Sequence, residues 1–137
     1  MPRKINEKKY GISRNRYKEL SGFCEQYREW KLWLEQYQDT ISGQRIDGMP
    51  HGSGGHNEPT ANLVIKRQQL ETNCKMIEDA AKETDAYFAD FILEEVTKAE
   101  VTYRHLRMVQ GITCSAKLYY ALKRKFFQIL DKKKENA

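Results

Sequence analysis

The sequence predicts an all-α fold, and three observations lead to that prediction. Apolar residues recur at steps of three and four along most of the chain, which is the period of a helix with one buried face. No stretch shows the period of two that a half-buried strand requires. The chain has 137 residues, 39% of them hydrophobic, a size that fits one compact domain or two very small ones.

The first predicted helix runs from about residue 14 to residue 41, after a basic and flexible N-terminus at residues 1–13. Its apolar residues follow alternating steps of three and four, the seam of a helix that packs along a partner helix. These seam residues are Leu20, Phe23, Tyr27, Trp30, Leu34, Tyr37 and Ile41. Because the seam is rich in aromatic side chains, we expect short-range pairing in a helical bundle rather than a long coiled coil.

A glycine-rich segment then separates two helices. Residues 42–58 contain five glycines and a proline, which a helix could hold only at a large entropic cost, so a loop is predicted. Glu58 is expected to be the N-cap and Pro59 the first residue of a second helix that ends near Thr84. Its apolar stripe is Leu63, Leu70, Cys74, Ile77 and Ala81. The two helices predict an antiparallel hairpin over residues 14–84.

A third helix is expected from Asp85, its cap, to about Ala99. Its apolar residues are Tyr87, Phe88, Phe91, Ile92 and Val96, and Asp90, Glu94 and Glu95 are expected to face water. Thr102 is predicted to cap a short helix that extends to Val109.

Gly111 marks a turn, and Ser115 is predicted to cap a last helix that ends near Lys133. The inward stripe expected for this helix is Leu118, Tyr119, Leu122, Phe126, Ile129 and Leu130.

Charge is distributed unevenly along the chain. The formal net charge of +5 divides into +5 for residues 1–19, −7 for residues 20–100 and +7 for residues 101–137. A cationic end beside an acidic middle is typical of a chain whose basic end binds a polyanion. A solvated basic tail is the other interpretation, and for the last six residues it is the plainer one.

Catalytic, metal and cofactor sites are not predicted. The glycine-rich loop lacks the Lys of a phosphate-binding loop and follows a helix rather than a strand. Its histidines, His51 and His56, do not show the spacing of metal ligands on a rigid element. The three cysteines lack a CxxC pair and are expected to be reduced. Because the sequence has no predicted membrane span or signal peptide, we expect a cytoplasmic protein. Because no catalytic site is predicted, we expect that it is not an enzyme.

Residues 85–134 contain the parts of a helix-turn-helix unit, whose second helix lies in the major groove of DNA. A projection at 100° per residue places Lys117, Tyr120 and Arg124 opposite the apolar stripe, where they would contact bases. Phosphate contacts are expected from Ser115, Lys123, Lys125, Lys132, Lys133, Lys134, Arg104 and Arg107. The alternative is an amphipathic helix of a bundle, with lysines exposed for solubility. Lys117 also occupies a position that is usually apolar in such units, unless the turn is about one residue longer and Leu118 points inward.

Several short motifs, in this order, resemble the RinA/ArpU-type transcriptional regulators of phages and prophages of Gram-positive bacteria. They are Tyr17-Lys18-Glu19-Leu20, Phe23-Cys24, Trp30, Gly48-Met49-Pro50-His51-Gly52-Ser53-Gly54, Glu58-Pro59-Thr60-Ala61, Tyr119 and Arg124-Lys125-Phe126-Phe127. The resemblance covers about Tyr17 to Leu130. It implies a C-terminal helix-turn-helix similar to sigma region 4 and a role in activating late genes for packaging and structural proteins.

The sequence therefore predicts a DNA-binding regulator in which the hairpin is a scaffold or a dimer interface and residues 85–134 bind double-stranded DNA. Host RNA polymerase and a second copy of the chain are further expected partners; a membrane is not. Two alternatives stay open. One is a small DNA-recognition subunit of a phage packaging machine or a replication accessory. The other is a helical interaction or assembly protein that does not bind DNA.

Overall fold

The computed structural model describes residues 11–36 and 57–137, with side chains from residue 61 onward in the second range. All regular secondary structure in these ranges is helical, which confirms the predicted all-α class. The helices are α1 (Arg14–Glu25), α2 (Asn57–Thr84), α3 (Ala89–Thr97), α4 (Tyr103–Met108) and α5 (Ala116–Asn136), and residues 27–36 are helical as well. None of the helices described is both long and apolar enough to cross a membrane.

The chain divides into two compact units. One comprises Met1–Tyr27 and Met76–Ala137, and the other is Arg28–Lys75. The predicted domain boundary after residue 84 therefore falls inside the first unit, which contains the end of α2. In the second unit the Lys66 ammonium lies 4.8 Å from the centroid of the Trp33 ring. The predicted loop 42–58 and the seam residues Tyr37 and Ile41 lie outside the described residues, apart from the backbone of residues 57 and 58.

The core of the first unit forms where α1 packs against α3 and α5, and α3 packs against α4. The largest side chains that this core buries almost completely are Leu20, Ile77, Ile92, Leu106, Tyr119, Phe126, Phe127 and Leu130. The rings of Tyr17 and Phe127 lie 4.8 Å apart across the α1–α5 contact. At the edge of the core, the Tyr27 hydroxyl donates to the Glu78 carboxylate. Both seam residues near this contact, Phe23 and Tyr27, are half-buried.

Hydroxyl caps fix where three of the helices begin. The Ser13 Oγ accepts the Arg16 amide at 3.1 Å, the Thr102 Oγ1 accepts the His105 amide at 3.3 Å, and the Ser115 Oγ accepts the Leu118 amide at 3.2 Å. Each bond satisfies an amide that the first turn of a helix leaves without a partner. The predicted caps at Thr102 and Ser115 are confirmed.

Helix boundaries differ from prediction at three places. The first helix is interrupted at Gln26, whose amide bonds to the Phe23 carbonyl at 3.3 Å, an i→i−3 bond that tightens the last turn of α1. Asp85 accepts the amides of Tyr87 and Phe88, so it caps a turn, and α3 begins only after that turn. Tyr87 is consequently 70% exposed rather than part of the apolar stripe. The second helix begins at Asn57, one residue before the predicted cap.

The inward stripe predicted for α5 is wrong at its beginning and in its middle. Leu118 is 46% exposed, whereas Phe127, which the prediction left out of the stripe, is 1% exposed. Tyr119, Phe126 and Leu130 are buried as predicted. Tyr119 and not Leu118 points inward, so the expectation that a longer turn buries Leu118 is wrong.

Two glycines of the first unit should respond in opposite ways to replacement by alanine. Gly111 has a φ of 71°, where a side chain is strained even in open space. Gly111→Ala should therefore lower the free energy of unfolding by about 1 kcal/mol. Gly22 lies inside α1 with no atom within 4 Å of an added Cβ. Gly22→Ala should therefore raise the free energy of unfolding by about 0.5–1 kcal/mol. Urea titrations of both variants check the signs, and a Gly111→Ala variant as stable as wild type would contradict the assigned strain.

Candidate nucleic-acid interface

Two hydrogen bonds to α4 fix the connection between α4 and α5. The amide of Ile112 donates to the Leu106 carbonyl at 3.1 Å, and both side chains are buried. The Tyr103 hydroxyl donates to the Cys114 carbonyl at 2.7 Å, which ties the start of α4 to the start of α5. The connection spans residues 109–115, so it is longer than the three or four residues usual in a helix-turn-helix.

A carboxylate on α3 holds two side chains of α5. The Tyr119 hydroxyl donates to Glu95 Oε1 at 2.6 Å, and Lys123 Nζ donates to Glu95 Oε2 at 2.7 Å. The side chains of Glu95 and Lys123 are only 11% and 17% exposed. Burial, together with the neighbouring carboxylate, raises the pKa of Tyr119 well above its usual value, so the phenol stays a donor. Glu95, expected to face water, instead orients the helix.

Lys123 was predicted to contact phosphate, and the structure gives it the Glu95 carboxylate as a partner instead. The sequence holds a weak signal for this arrangement. Tyr119 and Lys123 are four residues apart, so they lie on one face of a helix and can share a single acceptor. Their acceptor, Glu95, is 24 residues from Tyr119 and 28 from Lys123 along the chain. Helical periodicity relates only residues of the same helix, so it cannot predict this contact.

The C-terminal half of α5 is also held by contacts within the first unit. Arg16 Nε lies 2.6 Å from Asp131 Oδ1, and Lys133 pairs with the Glu83 carboxylate. The Lys134 ammonium lies 4.0 Å from the centroid of the Phe23 ring, a cation–π contact. Of the predicted run of phosphate-binding lysines, only Lys132 is both exposed and without a partner among the described residues.

The N-terminal half of α5 is the exposed half. Ser115, Lys117 and Lys125 are exposed, and Tyr120 is 43% exposed with its ring 6.2 Å from that of Tyr103. Arg124 is half-buried on the same outward face. The three predicted base-contacting residues thus all belong to the accessible part of the helix, and the first turn contains no acidic residue.

Two further exposed cations lie on α4. Arg104 and Arg107 are exposed, and α4 also has no acidic residue in its first turn. Within the described part of the chain, five exposed cations of α4 and α5 form no ion pair. They are Arg104, Arg107, Lys117, Lys125 and Lys132, and we call them the open cations. An uncompensated set of cations on two joined helices attracts polyanions.

The Cys114 thiol, which lies just before α5, is not activated. Burial raises the pKa of the Cys114 thiol, the opposite of the lowered pKa that activates a cysteine. All three cysteines are buried and none forms a disulfide. No group of three or more His, Cys, Asp or Glu residues in the described ranges could hold a metal ion, and His51 and His56 lie outside those ranges.

Three kinds of comparison were made for this chain, with models of protein families, with curated proteins and with solved structures. None of them finds a match.

Proposed function

We propose that this chain is a sequence-specific DNA-binding regulator of the RinA/ArpU type, in which α4, the connection 109–115 and α5 act as a helix-turn-helix similar to sigma region 4. The observation that carries the proposal is the combination of five open cations with an exposed N-terminal half of α5. In helix-turn-helix proteins the N-terminal residues of the second helix contact base edges, and flanking cations contact phosphates.

Each outward residue has a role suited to its chemistry. Arg124 can donate two hydrogen bonds to a guanine, and Lys117 and Tyr120 can donate to base acceptors in the major groove. Arg104, Arg107, Lys125 and Lys132 are placed to neutralise phosphates, and the Ser115 hydroxyl can donate to one. Lys123, Lys133 and Lys134 instead hold α5 against the rest of the unit, through the contacts with Glu95, Glu83 and Phe23.

The predicted antiparallel hairpin of residues 14–84 serves in this proposal as a scaffold, and its seam as a surface for a second copy. Leu20 is fully buried, and Phe23, Tyr27, Trp30 and Leu34 are half-buried, so part of the seam is already used within the chain. Residues 20–100 carry a net charge of −7, and in this proposal they are the part of the chain that contacts host RNA polymerase. Activation of late phage genes is the role that the family resemblance implies for such a protein.

An interaction protein without DNA binding is the second candidate, and one observation favours it. Met108 and Val109 are 72% and 69% exposed at the start of the connection between α4 and α5. Contiguous exposed apolar groups mark surfaces that bind another protein, and these two side chains are adjacent in the sequence. A packaging or replication role would use the same cations on DNA but without strong sequence preference.

Salt-dependent binding separates these functions. Fluorescence anisotropy measures the binding of the full chain to a labelled duplex of random sequence. Between 50 and 200 mM salt, the logarithm of the association constant should fall linearly with the logarithm of the salt concentration, with a slope of about −0.9 for each phosphate neutralised. Selection from a random-sequence pool should then yield a consensus. Binding without a consensus would favour the packaging or replication role. No binding at the lowest salt would refute both DNA-binding roles.

A further inference from the structure

Leu118 is an apolar side chain in the middle of a cationic surface. It is 46% exposed, although the neighbouring Tyr119 is completely buried. Consecutive residues on a helix are about 100° apart, so the Glu95 contact that turns Tyr119 inward also turns Leu118 outward. Lys117 precedes it, and Lys125, seven residues later, lies only about 20° from it in projection. Both of these lysines are open cations.

We infer that Leu118 contacts the 5-methyl group of a thymine, so that the interface prefers thymine at one fixed position of its DNA site. This inference rests on the proposed DNA-binding function. The thymine methyl is the apolar group that base pairs display in the major groove, and small apolar side chains recognise it.

Charge complementarity decides which partner covers Leu118. A protein groove that accepts a leucine would also have to accommodate Lys117 and Lys125 beside it, whereas a duplex offers a base acceptor to Lys117, a phosphate to Lys125 and a methyl group between them. Leu118 also lies in the first turn of α5, with its amide bonded to the Ser115 cap at 3.2 Å. That turn is the part of a recognition helix that meets base edges.

The test removes the methyl group alone. A duplex selected by the wild-type protein from a random-sequence pool is the probe, and each thymine is replaced in turn by deoxyuridine. At one position the wild-type affinity should fall about fourfold, the effect of one apolar carbon that is no longer buried. Leu118→Ala should bind the thymine and uracil forms equally at that position. Val64→Ala removes a comparably exposed apolar side chain from α2, 40% exposed, and should keep the fourfold difference.

Three results would overturn the thymine contact while DNA binding itself stands. They are equal wild-type affinity for every uracil-substituted duplex, a selected duplex that contains no thymine, and a uracil effect that persists in Leu118→Ala. Failure of the wild-type protein to bind any duplex at low salt is a different result, because it refutes the proposed function and this inference together. Since Leu118 is exposed and alanine favours helix, the variant should fold normally, which circular dichroism can verify.

Discussion

Phe127→Ala should lower the free energy of unfolding by about 3–5 kcal/mol, the usual cost of removing a buried phenylalanine. The side chain is 1% exposed, and its ring lies 4.8 Å from Tyr17 and 5.0 Å from Phe126. Because small domains are stable by only about 5–15 kcal/mol, the variant should unfold at much lower urea concentration than wild type.

Leu118→Ala is the matched control, since it truncates a large apolar side chain on the same helix. At 46% exposure it should change the free energy of unfolding by less than about 0.5 kcal/mol. The apolar pattern of the sequence places Leu118 in the inward stripe and leaves Phe127 out of it. A Leu118→Ala variant as destabilised as Phe127→Ala would show that α5 is rotated away from the orientation described here.

Local chemistry in the sequence predicts where α4 and α5 begin, but not which way α5 faces. Thr102 and Ser115 cap their helices as predicted because a hydroxyl and an amide three residues later meet through local geometry alone. The turn at Gly111 is predicted for the same reason, since its positive φ needs glycine. The orientation of α5 depends on contacts with residues that are distant in the sequence: Glu95 holds Tyr119 and Lys123, and Tyr17 packs against Phe127.

The candidate site shows the same division between local and long-range information. Charge segregation along the chain predicts that the basic end binds a polyanion, and the exposure of Lys117 and Tyr120 agrees with the projected outward face. Which lysines are open cannot be read from charge, because Lys123, Lys125 and Lys133 are equivalent in the sequence. Only the packing of α5 against Glu95 and Glu83 distinguishes Lys123 and Lys133 from the exposed Lys125.

Removal of open cations should weaken DNA binding far more than removal of other exposed cations. In the variant Arg104→Gln/Arg107→Gln/Lys125→Gln, three predicted phosphate contacts are lost. The slope of the logarithm of affinity against the logarithm of salt concentration should become shallower by up to about three. Affinity near 0.1 M salt should fall on the order of 100-fold. The consensus selected from a random pool should not change, since phosphate contacts carry no direct sequence information.

The control variant removes equal charge elsewhere. Lys18, Lys75 and Lys82 are exposed on α1 and α2 and form no ion pair among the described residues, so Lys18→Gln/Lys75→Gln/Lys82→Gln also lowers the net charge by three. A general effect of net charge would weaken both variants equally. If α4 and α5 form a specific DNA-binding surface, the affinity of the control variant should stay within about threefold of the wild-type affinity.

The central claim is that α4 and α5 carry the DNA-binding surface, and anisotropy titrations of these two variants and wild type against one duplex test it most directly. We predict wild-type-like affinity for the control and a loss on the order of 100-fold, with the shallower salt dependence, for the Arg104/Arg107/Lys125 variant. Equal affinities for all three proteins, or an equal loss in both variants, would contradict the claim.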